Sequence, residues 1–457
     1  MKTIYIDCSH LAQNNALNTG IQRVVRRVIE NFEVFANQGD SFTVVPVSIS
    51  NGQFQKLTID DLHAKEEKAV EPAKPSFKLR TLHYCLGIYR AVRELSCAII
   101  PSAKVRHFLF THPENFGLNY LIHHLLIQPL RKLKKLIKGE PAAATVVATN
   151  THSFDDINEG DILLLLDATW YANIWPSVAH AKERKANVIA VVYDLIPITH
   201  GEYCDAYHNE VFKEWIADSI QHVDRYISIS QTARDDLISY MDEFYQDQIA
   251  AKTFDYFFLG GDFKYQTQNT ETVRTTLKDK LATGSNYLVV STIEPRKNHQ
   301  HLLNVFEKIW ETSEEVNLFI VGHIGWKVEK LMQRINNHKH LNINLFVWHD
   351  LNDLELLYCY KHAKMLLFPS YIEGFGLPIV ESLSNGLPVM ASDTPIHREV
   401  GQDKIGYFSL DDPLDLVAKI EDIEHNGIAP ALQVEADYEW MDWRESSAML
   451  LDKILLK

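Results

Sequence analysis

A chain of 457 residues, 46% hydrophobic and 23% charged, is long enough to bury two or three separate cores and has the composition of an ordinary soluble protein. Its formal charge of −15 excludes a general nucleic-acid binder, because so acidic a chain is drawn to phosphate polyanions only where positive charge is gathered in one place. The five cysteines are scattered, odd in number and free of C-x-x-C spacing, which suggests neither a disulfide framework nor a zinc site and fits a reducing, cytoplasmic compartment.

The N-terminal run MKTIYIDC is too short in apolar residues for a signal peptide, and no segment reaches the roughly 18 apolar residues of a membrane span. Continuous apolar runs mark strands buried on both faces, as in a parallel sheet covered by helices. In the first half these are TIYID (3–7), FTVVPVS (42–48), DILLLLD (161–167), NVIAVVYDLIPI (187–198) and RYISIS (225–230). After the first run, TGIQ suits a capping box of Thr19 and Gln22, followed by a core stripe of Ile21, Val24, Val25, Val28, Ile29 and Phe32. Residues 78–138 hold eleven Lys or Arg against Glu94 and Glu114, a net of +9 that leaves −24 on the remainder. Within them, LLIQPLRKLKKLIK interleaves leucines with cations and reads as an interfacial helix drawn to anionic lipid, the alternative being a solvated helical face.

The polar stretch 262–274 reads as a linker, and a second series of strands follows it: NYLVVSTI (286–293), VNLFIVG (316–322), NINLFVW (342–348), AKMLLFPS (363–370) and LPVMAS (387–392). Two βαβ series predict an α/β protein of two doubly wound domains. The last segment, from residue 436, is an amphipathic helix with Trp440, Trp443, Ala448, Leu451 and Ile454 on one stripe.

Chemistry concentrates in YIEGFGLPIVESLSNG (371–386), where a strand passes through a glycine turn into a helix. Such a turn aims backbone N–H groups and the positive helix end at one point, which attracts phosphate. Glu373 and Glu381 on either side would repel phosphate, so they are expected to accept hydrogen bonds from neutral sugar hydroxyls. Hydroxyls, phosphate, hydroxyls describes a nucleotide sugar. The cations for its diphosphate stand at the end of the first strand of this half, as Arg296 and Lys297. No D-x-D occurs, so these side chains are expected to replace a metal ion; His123–His124 and His299–His301 lack a third ligand, and no metal site is expected.

These residues resemble the donor site of retaining glycosyltransferases of family 4, which have the GT-B fold. Their E-(seven residues)-E motif is matched by Glu373 to Glu381, and their cationic strand end by Arg296 and Lys297. Further similarity lies in VGHIGWKVEKL, FVWHDLNDLELLYCYKHA and ASDTPIHREVG, and, in the first half, in TGIQRVVRRVIENF, VVYDLIPI and ISISQTARDDL. It is densest after residue 285.

The resemblance implies two facing Rossmann-like domains, residues 1–265 for the acceptor and 270–435 for the donor, with 436–457 a crossover helix returning to the first. It implies that Glu373 meets donor sugar hydroxyls, that Gly374, Phe375, Gly376 and Leu377 line the sugar and phosphate, and that Glu381 holds the ribose. Arg296 and Lys297 would hold the diphosphate, and Gly20 would let its loop approach from across the cleft. Many members carry an arginine where this chain has Ser291 and Thr292, which shifts charge onto Arg296. A histidine common in the family is replaced by Tyr193 and Asp194, which leaves the sugar-side role to Asp194.

The implied activity is retaining transfer of a hexose, mannose from GDP-mannose first and rhamnose or glucose next, to a saccharide or lipid-linked glycan of the cell surface, with no cofactor. The alternatives are a non-catalytic nucleotide-sugar-binding subunit and a GT-B epimerase. The implied location is the cytoplasm, with peripheral attachment to the inner membrane face through residues 78–138.

Overall fold

The computed structural model describes residues 2–13, 20–39, 42–50, 52–58, 62, 154–261 and 272–456. The basic segment 78–138 and residues 262–271 of the expected linker lie outside them, as does Thr19 of the expected capping box.

The first sheet joins β1 (Lys2–Asp7), β2 (Phe42–Ser50), β3 (Gln53–Lys56), β4 (Ile162–Leu165), β5 (Asn187–Val192), β6 (Arg225–Ser228) and β7 (Thr253–Tyr256) in the order β3-β2-β1-β4-β5-β6-β7. Every pairing is parallel except the β2–β3 hairpin. Its helices are α1 (Ser9–Gln13), α2 (Gly20–Asn37), α3 (Trp175–Glu183), α4 (Ile196–Thr199), α5 (Ala206–His222) and α6 (Gln231–Ile249).

Successive side chains of a strand point to opposite faces, which explains the continuous apolar runs. Ile4 and Ile6 of β1 pack with the α2 stripe Val24, Val25, Val28, Ile29 and Phe32, whereas Tyr5 between them packs on the other face with Leu163, Leu165, Phe212 and Trp215.

The second sheet orders β8 (Ser285–Val290), β9 (Val316–Val321), β10 (Leu345–Trp348), β11 (Met365–Phe368), β12 (Val389–Ser392) and β13 (Gly406–Phe408) as β10-β9-β8-β11-β12-β13, all parallel. Around it lie α7 (Thr275–Leu281), α8 (His299–Ile309), α9 (Glu329–Asn336), α10 (Asp353–His362), α11 (Leu377–Ser384), α12 (Pro395–Gly401) and α13 (Pro413–Asn426). The last helix, α14 (Trp443–Leu455), returns to the first sheet's side. There Asn31 Nδ2 donates to the Trp443 carbonyl at 3.2 Å, Ser446 Oγ to the Phe258 carbonyl at 2.6 Å, and Lys453 pairs with Asp255 at 2.9 Å. An apolar cluster runs from β1 and α2 through Phe257 and Leu259 to Phe368, Phe375 and Val380, so the halves share a core where they meet.

Two expectations are corrected, and three strands carry no mark in the sequence. The run 187–198 is strand only to Val192, because Pro197 cannot donate to a ladder and the Asp194 carboxylate accepts the Ile196 N–H at 3.0 Å, starting α4 instead. Strands β3, β7 and β13 are too short or too polar to stand out as apolar runs. On the C-terminal stripe, Trp440 precedes α14 and donates its indole N–H to the Leu259 carbonyl at 2.8 Å, while Leu450 joins Trp443, Leu451 and Ile454 in the core. Among the described residues, no helix is long and apolar enough to cross a membrane.

Candidate functional site

In the second sheet the chain first builds β8, then β9 and β10 to one side, then crosses to β11 on the other. The crevice between the carboxyl ends of β8 and β11 is the topological switch point, where doubly wound sheets bind ligands. Arg296 and Lys297 lie in the short turn Pro295–Lys297 that follows β8; Glu373 lies between β11 and α11. Left-handed Asn298 (φ 55°) then redirects the chain into α8.

Across the crevice Lys297 Nζ is paired with Glu373 Oε1, and Arg296 Nη1 lies 2.5 Å from Glu373 Oε2. Arg296 also donates to the Ile372 carbonyl at 3.1 Å and pairs with Glu294 at 2.8 Å, while the Tyr371 N–H donates to the Arg296 carbonyl at 2.8 Å. The cluster is buried, with the Glu373 side chain only 7% exposed. Burial works to raise the Glu373 carboxyl, but the Arg296 and Lys297 charges outweigh it and hold it at about 2. Lys297 is lowered by burial and by Arg296, against the pull of Glu373 and Glu294.

The glycine turn is held from the first half of the chain. A Cβ on Gly374 would lie 2.3 Å from the Tyr193 carbonyl oxygen, so only glycine fits, and Ser230 Oγ donates to the Gly374 carbonyl at 2.7 Å. Gly376, at φ +105°, is the N-cap of α11, whose first residue is Leu377, and Phe375 is buried against Phe258 and Trp440. Glu399 reinforces the contact by accepting from the N–H groups of Gln231 and Thr232 at 2.6 and 2.8 Å. Trp326 and Lys327 reach back to the carbonyls of Tyr203, at 2.7 Å, and Glu202, at 3.1 Å.

Glu381 lies one turn into α11, apart from the Glu373 cluster. Its Oε2 accepts from Tyr360 OH at 2.9 Å, and its Oε1 is paired with Arg23 of α2. Gly20 begins α2 with nothing within 4 Å of its Cβ position. Asp194 is half-buried just past the end of β5, where partial burial raises its carboxyl and the nearby Arg296 lowers it. Asp194, Trp170, His208 and Trp215 line, together with Arg296 and Trp326 of the second half, a cavity of about 230 Å³ between the halves.

Three of these features went unseen in the sequence. Arg23 is one of three arginines in QRVVRR and has no local mark that singles it out; the tryptophans of the cavity sit in unrelated segments. The third is the switch point of the first sheet, where Asp7 ends β1 and Asp167 follows β4. Burial and the neighbouring Asp167 raise the Asp7 carboxyl to about 8, although Ser9 N and Oγ donate to it at 3.1 and 2.5 Å. The aspartates ending TIYID and DILLLLD were the signal. Among the described residues no group of three His, Cys, Asp or Glu could hold a metal ion.

Two doubly wound sheets whose carboxyl ends meet across a cleft, with the terminal helix returning to the first, are the GT-B fold. Anabaena HepE, crystallised with UDP, superposes with a TM-score of 0.53 at 12% identity, covering 99% of both chains. A trehalose-6-phosphate structure from E. coli bound with UDP-2-fluoro glucose gives 0.52 at 9% identity, covering 99% of this chain and 95% of that one. Residues 277–440 match the family model of glycosyl transferases group 1. The serotype-specific mannosyltransferase WbdA of Escherichia coli is 30% identical over 309 residues, 65% of this chain and 37% of WbdA. The O-antigen chain mannosyltransferase B of Escherichia coli is 34% identical over 124 residues, 27% of this chain and 32% of the relative. The matched stretches thus span only about a third of these relatives' own length.

Proposed function

We propose that the chain is a retaining glycosyltransferase that moves a hexose, in the first instance mannose from GDP-mannose, to a saccharide or lipid-linked glycan acceptor in the synthesis of a cell-surface polysaccharide. One observation carries this reading: Arg296 and Lys297 after β8 and Glu373 after β11 converge from both sides of a switch point beneath the N-terminus of α11. Cations and backbone N–H groups gathered there suit a diphosphate. The mannosyltransferase names of the relatives support the choice of sugar.

In this reading residues 270–435 bind the donor, residues 1–265 the acceptor, and 436–457 tie the two. Lys297 and Arg296 take the diphosphate, and Glu373 keeps both cations in place. Each Glu373 oxygen retains a lone pair for a donor sugar hydroxyl. Gly374, Phe375, Gly376 and Leu377 present backbone to the sugar and phosphate, Glu381 accepts from the ribose diol beside Arg23, and Gly20 leaves room for the phosphates. Asp194 faces the sugar from the other half.

The acceptor hydroxyl attacks the anomeric carbon as its bond to the phosphate oxygen breaks on the same face. The electron pair leaves with the nucleoside diphosphate, and the acceptor proton passes to the departing phosphate oxygen. Charge grows on that oxygen in the transition state, where one preorganised cation contributes about 3 to 4 kcal/mol. No metal or cofactor is needed, and the acceptor is met at the cytoplasmic membrane face through the basic segment 78–138.

The test incubates purified protein and manno-oligosaccharide with a panel of nucleotide sugars in EDTA. Transfer from GDP-mannose with α-configuration in both donor and product is expected. A strict divalent-metal requirement, or inversion, would overturn the assignment.

A further inference from the structure

Glu294 opens the turn that carries Arg296 and Lys297, yet takes no part in the transfer proposed for them. Its backbone is extended (φ −146°, ψ 161°), its carbonyl accepts the Lys297 N–H at 3.1 Å, and only 2% of the residue is exposed. Gly325 covers it: a Cβ there would lie 2.9 Å from the Ile293 carbonyl oxygen and 3.3 Å from the Glu294 Cβ. Glu294 Oε1 lies 2.8 Å from Arg296 Nη2, whereas Oε2 is buried with no hydrogen-bond partner among the described residues. A carboxylate so placed depends on that guanidinium for its charge, since burial alone favours the neutral acid.

The charges facing Glu294 do not balance. Burial raises its carboxyl, Arg296 and Lys297 lower it, and the neighbouring Glu373 and Asp194 raise it. Lys327, from the loop over Glu294, is turned to the Glu202 and Cys204 carbonyls, and burial keeps the Cys204 thiol protonated. Fully ionised, the cluster sets the two cations Arg296 and Lys297 against the three carboxylates Glu294, Glu373 and Asp194. A diphosphate brings further negative charge to the same two cations, and Arg296 cannot neutralise Glu294, Glu373 and a phosphate together. Glu373 is poorly placed to give up its charge, since each of its oxygens is paired with a cation. Asp194 already accepts the Ile196 N–H at 3.0 Å. Glu294 has an open oxygen for a proton.

Resting on the transferase reading above, we infer that Glu294 takes up a proton on Oε2 when the donor diphosphate binds and returns it to solvent when the nucleoside diphosphate leaves. The proton comes from water, no covalent bond of the donor changes, and Arg296 turns its charge from Glu294 to phosphate. Glu294 is thus a positioning residue. In the empty site it holds the Arg296 guanidinium; in the occupied site, neutral, it no longer competes for that cation. Because binding takes up a proton, it weakens as pH rises.

The test is isothermal titration of the full chain in EDTA with GDP-mannose, whose diphosphate has no proton titrating near neutral pH, without acceptor and in buffers of different ionisation enthalpy. The dependence of the heat on the buffer counts the protons. Wild type is expected to take up about one proton per donor near neutral pH, with Kd rising by up to about tenfold per pH unit. Glu294→Gln, a neutral isostere, is expected to bind with no buffer-dependent heat and a Kd flat with pH, so that in alkaline buffer it binds more tightly than wild type. Asp194→Asn keeps the uptake; its loss there would assign the proton to Asp194 and overturn the inference. Wild-type binding with no proton uptake overturns this inference alone, as does uptake that persists in Glu294→Gln, which places the proton on another group of the cleft. If neither GDP-mannose nor GDP binds at all, the transferase reading on which it rests is overturned.

Discussion

Replacing Glu373 by Gln removes the charge that holds Lys297 and Arg296 while keeping the side chain's shape. The carboxyl sits at about 2 in the folded chain, against an ordinary 4.5. At 1.36 kcal/mol per unit, the ionised form contributes about 3 kcal/mol at neutral pH. A second route agrees: breaking a buried pair by removing one partner costs about 3 to 5 kcal/mol. In the variant Lys297, already lowered by burial and by Arg296, also loses the carboxylate that pulls it up.

Because the folded value lies below the unfolded one, this stabilisation is full above about 4.5 and lost as pH falls through about 2. Urea unfolding followed by fluorescence should give Glu373→Gln a deficit of about 3 kcal/mol at pH 7, shrinking to about 1.4 kcal/mol at pH 3. A deficit that stays constant with pH, or one under about 1 kcal/mol at pH 7, would refute the ion-pair argument.

A Gly374→Ala side chain would drive the turn off the Tyr193 carbonyl and break the Ser230 bond, so the halves should part and kcat/KM fall at least about 100-fold; small-angle scattering should show a larger radius, and an unchanged radius would deny that this glycine sets the closed contact. For Asp7, held at about 8, the penalty grows as pH rises from about 4 to 8. Asp7→Asn should therefore melt above wild type at pH 8 and near it at pH 4, and a variant less stable at pH 8 would show that the charge is used. Glu381→Gln should mainly raise donor KM, since a ribose contact is the same in ground and transition states, whereas Glu373→Gln should mainly lower kcat; identical changes in both would erase the division of labour.

The two sheets were legible because parallel strands covered on both faces read as unbroken apolar runs. The segments proposed to hold the donor stand out for a related reason: at a switch point, ligand-facing side chains sit immediately after strands, and EPRK and YIEGFG occupy those positions. What crosses between the halves was not legible. Arg23 meets Glu381 across 358 positions of sequence, and Trp170 shares a cavity with Trp326; such pairs leave no periodicity to read. The apolar run 187–198 misled for a local reason, since its second part is a helix started by Asp194 and Pro197.

The central claim is that Arg296 and Lys297 form the diphosphate site. Isothermal titration of GDP and GDP-mannose in EDTA against wild type and Lys297→Ala tests it most directly. The account expects wild-type binding without metal and a loss of at least about tenfold in the variant, one charged hydrogen bond of about 1.5 to 3 kcal/mol. Equal affinities in the two proteins, or wild-type binding that appears only when a divalent ion is added, would contradict it.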